Sequence, residues 1–220
     1  MASELVTEIV YMPLKPGIDF KSISTPEGKA WLAALDIMKR QEGYLQSRCG
    51  RQFENPDMLM WFIDWTSYPT HRKFITSPSY TPFLENIGAL VAGAPYFYHF
   101  SPAPSPTTLS TFPCTEFAVF YQTVPTFLAD NARKFAAALD SAEPRPDGYL
   151  GSVAGGVMEE IAKGGAEEGK GSAVVLCLGW TSRDAHLRFR NESVVFRDNI
   201  WLLREGTKGA EVVHVGFEDV

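Results

Sequence analysis

The stretch Trp65–Phe74 reads WTSYPTHRKF, and the stretch Trp180–Phe189 reads WTSRDAHLRF. The two stretches share five identical residues at a single offset of 180 − 65 = 115 positions. Self-similarity at a fixed offset is the sequence signature of an internal repeat. The pair therefore indicates that this chain of 220 residues contains two copies of one unit.

Shorter matches occur in the same order on both sides of this pair. With their offsets, they are Thr7-Glu8 and Thr115-Glu116 (108), Gly43-Tyr44-Leu45 and Gly148-Tyr149-Leu150 (105), Asn86-Ile87 and Asn199-Ile200 (113), and His99 and His214 (115). The offset increases by 115 − 105 = 10 where the second half carries residues 159–171, a segment rich in Gly, Glu and Lys that is typical of an enlarged loop. The chain is therefore predicted to be a tandem duplication.

The boundary between the two copies is predicted from composition. Residues 101–108 read SPAPSPTT, and prolines alternating with small polar residues are typical of an extended linker. We therefore predict an N-terminal domain at residues 1–104 and a C-terminal domain at residues 105–220.

Each half is predicted to contain the elements β-α-β-β-α-β. Runs of β-branched and aromatic residues indicate a first strand at 7–12 and at 115–123. Ser24, with Glu27 three residues later, has the spacing of a capping box, and apolar residues at helical spacing follow it. The other predicted strands begin at the two Gly-Tyr-Leu motifs or lie at 59–65, 174–180, 96–100 and 212–217, and the second helices surround His71 and His186.

This order of elements is that of the ferredoxin-like split βαβ unit, an antiparallel sheet with two helices on one face. One copy would leave an apolar sheet face exposed, and two copies can cover these faces against each other. The predicted fold class is α+β, with two ferredoxin-like repeats packed as an intramolecular dimeric α/β barrel. The predicted assembly is a monomer with an internal pseudo-dimer, which further dimerisation can extend.

Charge and cysteine content limit the possible partners and locations. The formal net charge is −6, and no long block of Lys or Arg occurs, which argues against nucleic acid and anionic membrane as partners. Apolar runs are too short to span a bilayer, and none follows a basic N-terminus. Three cysteines without a CxxC pair argue against a disulfide framework or a thiolate zinc site. We therefore predict a cytoplasmic protein.

Motifs for nucleotide, flavin, phosphate or zinc chemistry are absent from the sequence. It contains no GxGxxG after a predicted strand, no GxxxxGK[ST], no GxSxG and no HExxH. The sequence therefore predicts a protein that uses neither a cofactor nor a metal.

The repeat resembles a known superfamily, the dimeric α/β barrel proteins, and within it the antibiotic-biosynthesis monooxygenase (ABM) domain group. The resemblance is carried by the element order, by the Trp-Thr-Ser motif between a strand and a helix at Trp65 and Trp180, and by Ser77-Pro78 after that helix. It extends over almost the whole chain, twice. The resemblance implies one of several activities: cofactor-independent oxygenation of aromatic polyketides, haem degradation, or isomerisation or cyclisation of small molecules.

One departure from the resembling domains bears on the haem-degrading activity. Many ABM-like domains place a histidine three residues before the Ser-Pro of the second helix. This chain has Phe74 there, and Phe189 at the repeat-related position. A haem-degrading enzyme is therefore disfavoured.

All four histidines of the chain fall into two repeat-related pairs, His71 with His186 and His99 with His214. Histidine titrates near neutrality, so a histidine facing a pocket can take a proton from a phenol or an activated carbon. These four are the candidate catalytic residues. The alternative is that the duplication copied histidines with a purely structural role.

Aromatic side chains are the candidates for substrate binding, because their rings stack on aromatic ligands and their N–H or O–H groups can orient an oxygen-bearing one. They are Trp65, Trp180, Tyr44, Tyr149, Trp61, Tyr11 and Tyr98. Ordinary core packing is the alternative for each of them. The first half is richer in aromatics, which favours it if only one half is active. Glu8 and Glu116 are repeat-related, but nothing in the sequence places them close enough for paired acid/base work.

The sequence leaves three functions open. The first is a cofactor-independent enzyme of secondary metabolism that acts on a small hydrophobic aromatic or polyketide-like substrate, of the monooxygenase type by resemblance. The second is an isomerase or cyclase that uses the same pocket without O2, since both reactions need one base and one apolar pocket. The third is a small-molecule binding protein that keeps the fold without the chemistry.

Overall fold

The computed structural model describes residues 5–103, 109 and 111–220. These residues form two units. The first unit extends to His99 and takes in Glu218–Val220, and the second comprises Phe100–Phe217. The predicted domain boundary at residues 104 and 105, with most of the predicted linker, lies outside the described residues.

The first unit contains the predicted succession of elements, except that two helices instead of one lie between the third and fourth strands. The elements are β1 (Val6–Pro13), α1 (Pro26–Lys39), β2 (Tyr44–Arg51), β3 (Met58–Trp65), α2 (Tyr68–Ile75), α3 (Tyr80–Leu90) and β4 (Tyr96–Phe100). The strand order in the sheet is β4-β1-β3-β2. A short additional strand at Glu218–Asp219 pairs antiparallel with β2 at the edge of this sheet, and the sequence patterns did not predict it.

The second unit repeats this architecture. Its elements are β5 (Cys114–Tyr121), α4 (Arg133–Asp140), β6 (Tyr149–Gly156), β7 (Ala173–Trp180), α5 (Arg183–Glu192), α6 (Val194–Asn199), α7 (Trp201–Arg204) and β8 (Gly209–Val215), and the extra strand of the first unit is β9. A π-helical turn, Phe127–Ala132, leads into α4. The order β6-β7-β5-β8 is that of the first sheet with each strand replaced by its repeat-related strand. The predicted α+β class with two ferredoxin-like repeats is confirmed.

The first helix has a different N-cap from the predicted one. Thr25 Oγ1 accepts a hydrogen bond from the N–H of Gly28 at 3.0 Å, while Ser24 Oγ lies 2.7 Å from Ser22 Oγ. Proline is favoured as the first helical residue, and it holds the residue before it in extended conformation. Pro26 therefore makes Thr25 the cap, and the predicted capping box from Ser24 to Glu27 is wrong.

The repeated Gly-Tyr-Leu motif marks a turn that only glycine tolerates. Gly43 has φ +84°, and Gly148 has φ +77°. A Cβ atom on Gly43 would lie 2.6 Å from the Thr70 side chain. The carbonyl of Gly43 accepts a hydrogen bond from the N–H of Thr66 at 2.8 Å, and Gly148 bonds to Thr181 in the same way. The turn thus ties the start of the second strand to the end of the third.

Each unit has its own apolar core between its sheet and its helices. In the first unit the Trp31 ring of α1 packs edge-on against Trp61 of β3, with centroids 4.7 Å apart. In the second, Phe135 of α4 and Trp180 of β7 belong to the corresponding cluster. Within the described part of the chain, no helix is long and apolar enough to cross a bilayer.

Candidate active site

The repeated Trp-Thr-Ser stretch places a histidine over a tryptophan. Trp65 ends β3, Ser67 is the N-cap of α2, and the N–H of His71 closes the first helical turn on the carbonyl of Ser67 at 3.5 Å. Side chains of a helix lean towards its N-terminus, so the imidazole of His71 stacks on the indole of Trp65 with centroids 4.8 Å apart. Trp180 and His186 stack in the same way at 5.3 Å.

A chain of hydrogen-bonding groups runs through this histidine in the first unit. Nε2 of His71 lies 3.3 Å from Oε2 of Glu8, and Nδ1 of His71 lies 2.6 Å from Nε2 of His99. Nε1–H of Trp65 donates to the same Glu8 oxygen at 3.1 Å. All four side chains are buried. Glu8, His71 and His99 are called the first relay below.

The second unit contains the same arrangement, called the second relay: Glu116, His186 and His214. Nε2 of His186 lies 3.2 Å from Oε2 of Glu116, its Nδ1 lies 2.7 Å from Nε2 of His214, and Nε1–H of Trp180 donates to Glu116 at 3.1 Å. Glu116 and His214 are direct partners on the paired strands β5 and β8. The helix α5 therefore brings His186 down onto two residues that the sheet has already placed side by side.

Each relay can hold a proton at either end. In one arrangement, Nε2–H of His99 donates to His71, Nε2–H of His71 donates to Glu8, and Glu8 is an ionised acceptor. In the other, a protonated Glu8 donates to Nε2 of His71, and Nδ1–H of His71 donates to His99. The same three distances fit both arrangements. A proton taken up by the glutamate can therefore pass to the second histidine without movement of a side chain.

Burial shifts the pKa of one relay residue in each unit. In the first unit, burial and, to a smaller extent, the charges of His99 and Arg72 lower the pKa of His71 to about 3, so this imidazole is neutral at neutral pH. Burial raises the pKa of Glu116 to about 7, against the hydrogen bond from Trp180 and the charge of Arg190. A carboxylate whose pKa is near the working pH is well matched to accept a proton from a carbon acid.

Each relay opens into an apolar cavity between the sheet and the helices of its unit. Glu8 and His71 line a cavity of about 120 Å³ in the first unit. Glu116 and His186 line a cavity of about 260 Å³ in the second. The other walls are mainly apolar, with Met12, Phe83 and Phe97 among them in the first unit, and Phe135, Leu176 and Phe196 in the second. Such a cavity suits an aromatic ligand with one group that exchanges a proton.

The first relay also brings together three side chains of metal-binding type, with one ligand atom from each within 4.8 Å of the others. His71, however, uses its two ring nitrogens on opposite sides, Nε2 towards Glu8 and Nδ1 towards His99. A single ion cannot bind both nitrogens of one imidazole ring. The geometry therefore fits a hydrogen-bonded chain better than a three-ligand metal site.

The structure joins the four predicted histidines in two hydrogen-bonded pairs, His71 with His99 and His186 with His214, and the two members of each pair differ in position. His71 and His186 line the cavities, while His99 and His214 lie behind them and line neither cavity. The predicted Trp65 and Trp180 also line neither cavity, and the indole N–H of each donates a hydrogen bond to the glutamate of its unit. Trp61 does line the first cavity, and its buried Nε1–H makes no hydrogen bond within the described part of the chain.

The four tyrosines predicted to bind substrate line neither cavity. The hydroxyl of Tyr44 lies 3.1 Å from Ser47 Oγ, and the ring of Tyr149 packs on an indole of its own unit. Tyr11 alternates with the cavity-lining residues of β1, and its hydroxyl lies 3.1 Å from that of Tyr98. These tyrosines therefore occupy packing positions relative to the two cavities.

Glu8 and Glu116 are the site residues that the sequence patterns did not identify. Each pairs with a histidine of its own unit. A signal was present, because each glutamate interrupts an apolar strand and recurs at the repeat offset. The contact itself depends on how α2 and α5 lie over the sheets.

Comparisons with known proteins bear on the fold. No protein-family model matches the chain, and no curated protein matches it significantly in sequence. Among solved structures, an anthrone oxidase-like protein superposes with a TM-score of 0.65 at 15% identity, over 99% of this chain and 94% of that one.

Two further solved structures are of proposed monooxygenases. The one from Lactobacillus acidophilus has a TM-score of 0.54 at 9% identity, over 98% of this chain and 94% of that one. The one from Fusobacterium nucleatum has a TM-score of 0.54 at 10% identity, over 100% and 95%. Likeness at such low identity shows the fold alone. The chain therefore shares its fold with these three proteins over nearly its whole length.

Proposed function

We propose that this protein is a cofactor-independent monooxygenase that oxidises an aromatic or polyketide-like carbon acid with O2. The observation that carries the proposal is a largely buried glutamate with a pKa raised to about 7, which contacts the first of two hydrogen-bonded histidines and faces an apolar cavity. The full-length likeness in fold to an anthrone oxidase-like protein supports it.

The reaction needs one base and one apolar site. The carboxylate of Glu116 takes a proton from an activated CH2 group, and the carbanion gives one electron to O2. Recombination of the radical pair forms a C–O bond, and the resulting peroxide anion takes back the proton held by the second relay. Loss of water then leaves a carbonyl group, so CH2 and O2 become C=O and H2O.

The remaining residues of the site support these steps. His186 and His214 can accept the proton from Glu116 and so keep it away from the carbanion until the peroxide forms. The apolar walls exclude water, which strengthens the hydrogen bonds of the relay and protects the carbanion from reprotonation.

We place the main reaction in the second unit. Aromatic content favours the first half, but the larger cavity, about 260 Å³ against 120 Å³, is better suited to a polycyclic substrate.

The test is oxidation of anthrone by the purified protein under air and under nitrogen. We expect consumption of one O2 per anthraquinone formed. In the double variant Glu8→Gln/Glu116→Gln, the rate in excess of the uncatalysed reaction should fall at least about 100-fold. Glutamine keeps the size and an acceptor oxygen of glutamate but cannot take the proton. An unchanged rate in the double variant would contradict the assignment of the base.

An O2-independent isomerase or cyclase is the second candidate, because the relay can also return the abstracted proton to a different atom of the same substrate. The arm under nitrogen separates the two candidates. Rearranged product formed without O2, and lost in the double variant, would replace the oxygenase by an isomerase or cyclase. Binding of substrate without any turnover would leave a binding protein.

A further inference from the structure

Two arginines distinguish the second cavity from the first. Arg190, in the last turn of α5, and Arg204, the last residue of α7, both line the second cavity and are exposed. Neither guanidinium makes an ion pair or a side-chain hydrogen bond within residues 5–103, 109 and 111–220. Arg190 nevertheless acts on the interior, since its charge is one of the influences on the pKa of Glu116.

The repeat shows that these charges are specific to the second unit. At the offset of 115, Arg190 corresponds to Ile75, and the first cavity has neither Arg nor Lys among its lining residues. The chain as a whole carries a net charge of −6, so two unpaired cations at one cavity run against its overall charge. Among the described residues that line this cavity, Glu116 carries the only carboxylate, and it belongs to the second relay.

The placement of these charges indicates what kind of ligand the cavity takes. An arginine side chain presents a planar fork of N–H donors that matches the two oxygens of a carboxylate. The exposed arginines mark the solvent side of the cavity, while His186 is buried and the Glu116 side chain beside it is 12% exposed. An apolar ring system with an anionic end is thereby oriented with the anion outward and the rings inward.

We propose that the second cavity takes an aromatic substrate that carries a carboxylate, bound by Arg190 and Arg204, with its acidic carbon directed towards Glu116. This inference rests on the proposed function for the reacting end and adds the class of the substrate. It implies that the cavity binds an anionic ligand more tightly than a neutral ligand of the same shape, and that this preference depends on Arg190 and Arg204.

Calorimetric titration with two matched probes tests it. Anthraquinone-2-carboxylate and anthraquinone-2-carboxamide share ring system and size, differ in charge, and lack the CH2 group that would react. We expect the protein to bind the carboxylate about tenfold more tightly, a preference that weakens as salt is added. The variant Arg190→Gln/Arg204→Gln should bind both probes with similar affinity.

A matched control comes from the same helix. Arg188 of α5 lies outside the second cavity and is exposed, with Asp147 as its ion-pair partner at 3.5 Å. Arg188→Gln should keep the full preference for the carboxylate. Equal binding of the two probes by the unaltered protein, a preserved preference in the double variant, or the same loss in Arg188→Gln would each overturn the proposal.

The failure of this inference can be told from the failure of the proposed function. Anthrone is neutral and forms no ion pair with the arginines, so its turnover by the unaltered protein tests the reaction separately from the carboxylate preference. Unchanged anthrone turnover without a carboxylate preference would overturn the substrate class alone. A carboxylate preference without any turnover of anthrone or of its 2-carboxylate would overturn the reaction and leave an acid-binding cavity.

Discussion

The cavity beside the second relay has about twice the volume of the cavity beside the first, about 260 Å³ against 120 Å³, although the same repeat builds both. Smaller side chains at repeat-related wall positions account for the difference. The pairs, first unit before second, are Trp61 and Leu176, Phe97 and Val212, and Val10 and Ala118. The glutamate, the two histidines and the tryptophan of each site are the same in both units.

This contrast shows which parts of a duplicated site can vary independently. Exchange of one apolar side chain for another alters volume and costs little when neighbours adjust. Loss of one member of a relay leaves a buried polar group without its partner, which is more costly. The size and charge of the cavity have therefore diverged between the units while the proton-handling geometry has stayed the same.

The largest expected effect separates the two glutamates. Glu116→Gln should reduce kcat for anthrone at least about 100-fold, and Glu8→Gln should reduce it no more than about threefold, because a general base contributes 10² to 10⁴ and the larger cavity holds the substrate. Steady-state rates of O2 uptake measure both. Equal losses in the two variants would show that both cavities work, and a reversed order would move the reaction to the first unit.

The next effect concerns the turn that both repeats share. Gly43→Ala and Gly148→Ala place a Cβ within 2.7 Å of neighbouring side chains at positive φ. Each should lower the free energy of unfolding by about 2 to 4 kcal/mol, through backbone strain and overpacking together. Urea denaturation followed by circular dichroism measures the change.

Each of these glycines has a control in its own unit. Gly17 and Gly164 also have positive φ, and a Cβ there would meet nothing within 4 Å. Gly17→Ala and Gly164→Ala should show only the strain, about 1 kcal/mol. Losses as large as at Gly43 and Gly148 would mean that the close contacts contribute nothing.

The units should respond to pH in opposite directions. His71 has a folded-state pKa of about 3, below its ordinary 6.5, so its unfolded form binds more protons and stability falls as pH drops from 6.5 towards 3. Glu116 has a folded-state pKa of about 7, above its ordinary 4.5, so stability falls as pH rises from 4.5 towards 7. At about 1.4 kcal/mol for each pH unit between the ordinary and the folded-state pKa, the loss approaches about 5 kcal/mol for His71 and about 3 kcal/mol for Glu116.

Two substitutions separate the loss of stability at low pH from the loss at higher pH. His71→Gln should flatten the loss on the acid side, and Glu116→Gln should flatten the loss between pH 5 and about 7. Hydrogen exchange of the first and second sheets at pH 5 and pH 8, followed by mass spectrometry, measures each unit separately. Parallel protection of both sheets at the two pH values would contradict the assignment.

The smallest effect concerns the outer histidine. His214 lines neither cavity and acts through His186, so it is a positioning residue. His214→Leu should lower kcat about tenfold with KM unchanged, and His214→Gln, which keeps a hydrogen-bonding group, should recover part of the rate. His99→Leu in the first unit is the matched control with a smaller effect. A change in KM without a change in kcat would indicate a packing role.

Much of the fold could be predicted from the sequence because the repeat supplied two independent samples of each element. The four strands of each unit, with those ending at Trp65 and Trp180, are found as predicted, whereas the second helix of each repeat is divided into two or three shorter helices. The start of α1 was predicted less exactly, because Pro26 makes Thr25 the N-cap of this helix. The short strand β9 was missed because two residues carry no recognisable period.

The sequence by itself determined the duplication, the ferredoxin-like units and the repeat correspondence of His71 with His186 and of His99 with His214, because identity at a fixed offset and strand or helix periodicity can be read along the chain. Only the tertiary structure decided that Glu8 and Glu116 complete the relays, that His99 and His214 stand behind the cavities, and that Arg190 and Arg204 line the larger one. These contacts join residues that are distant in the chain. Their distances depend on how each helix lies over its sheet, and no spacing along the sequence records that.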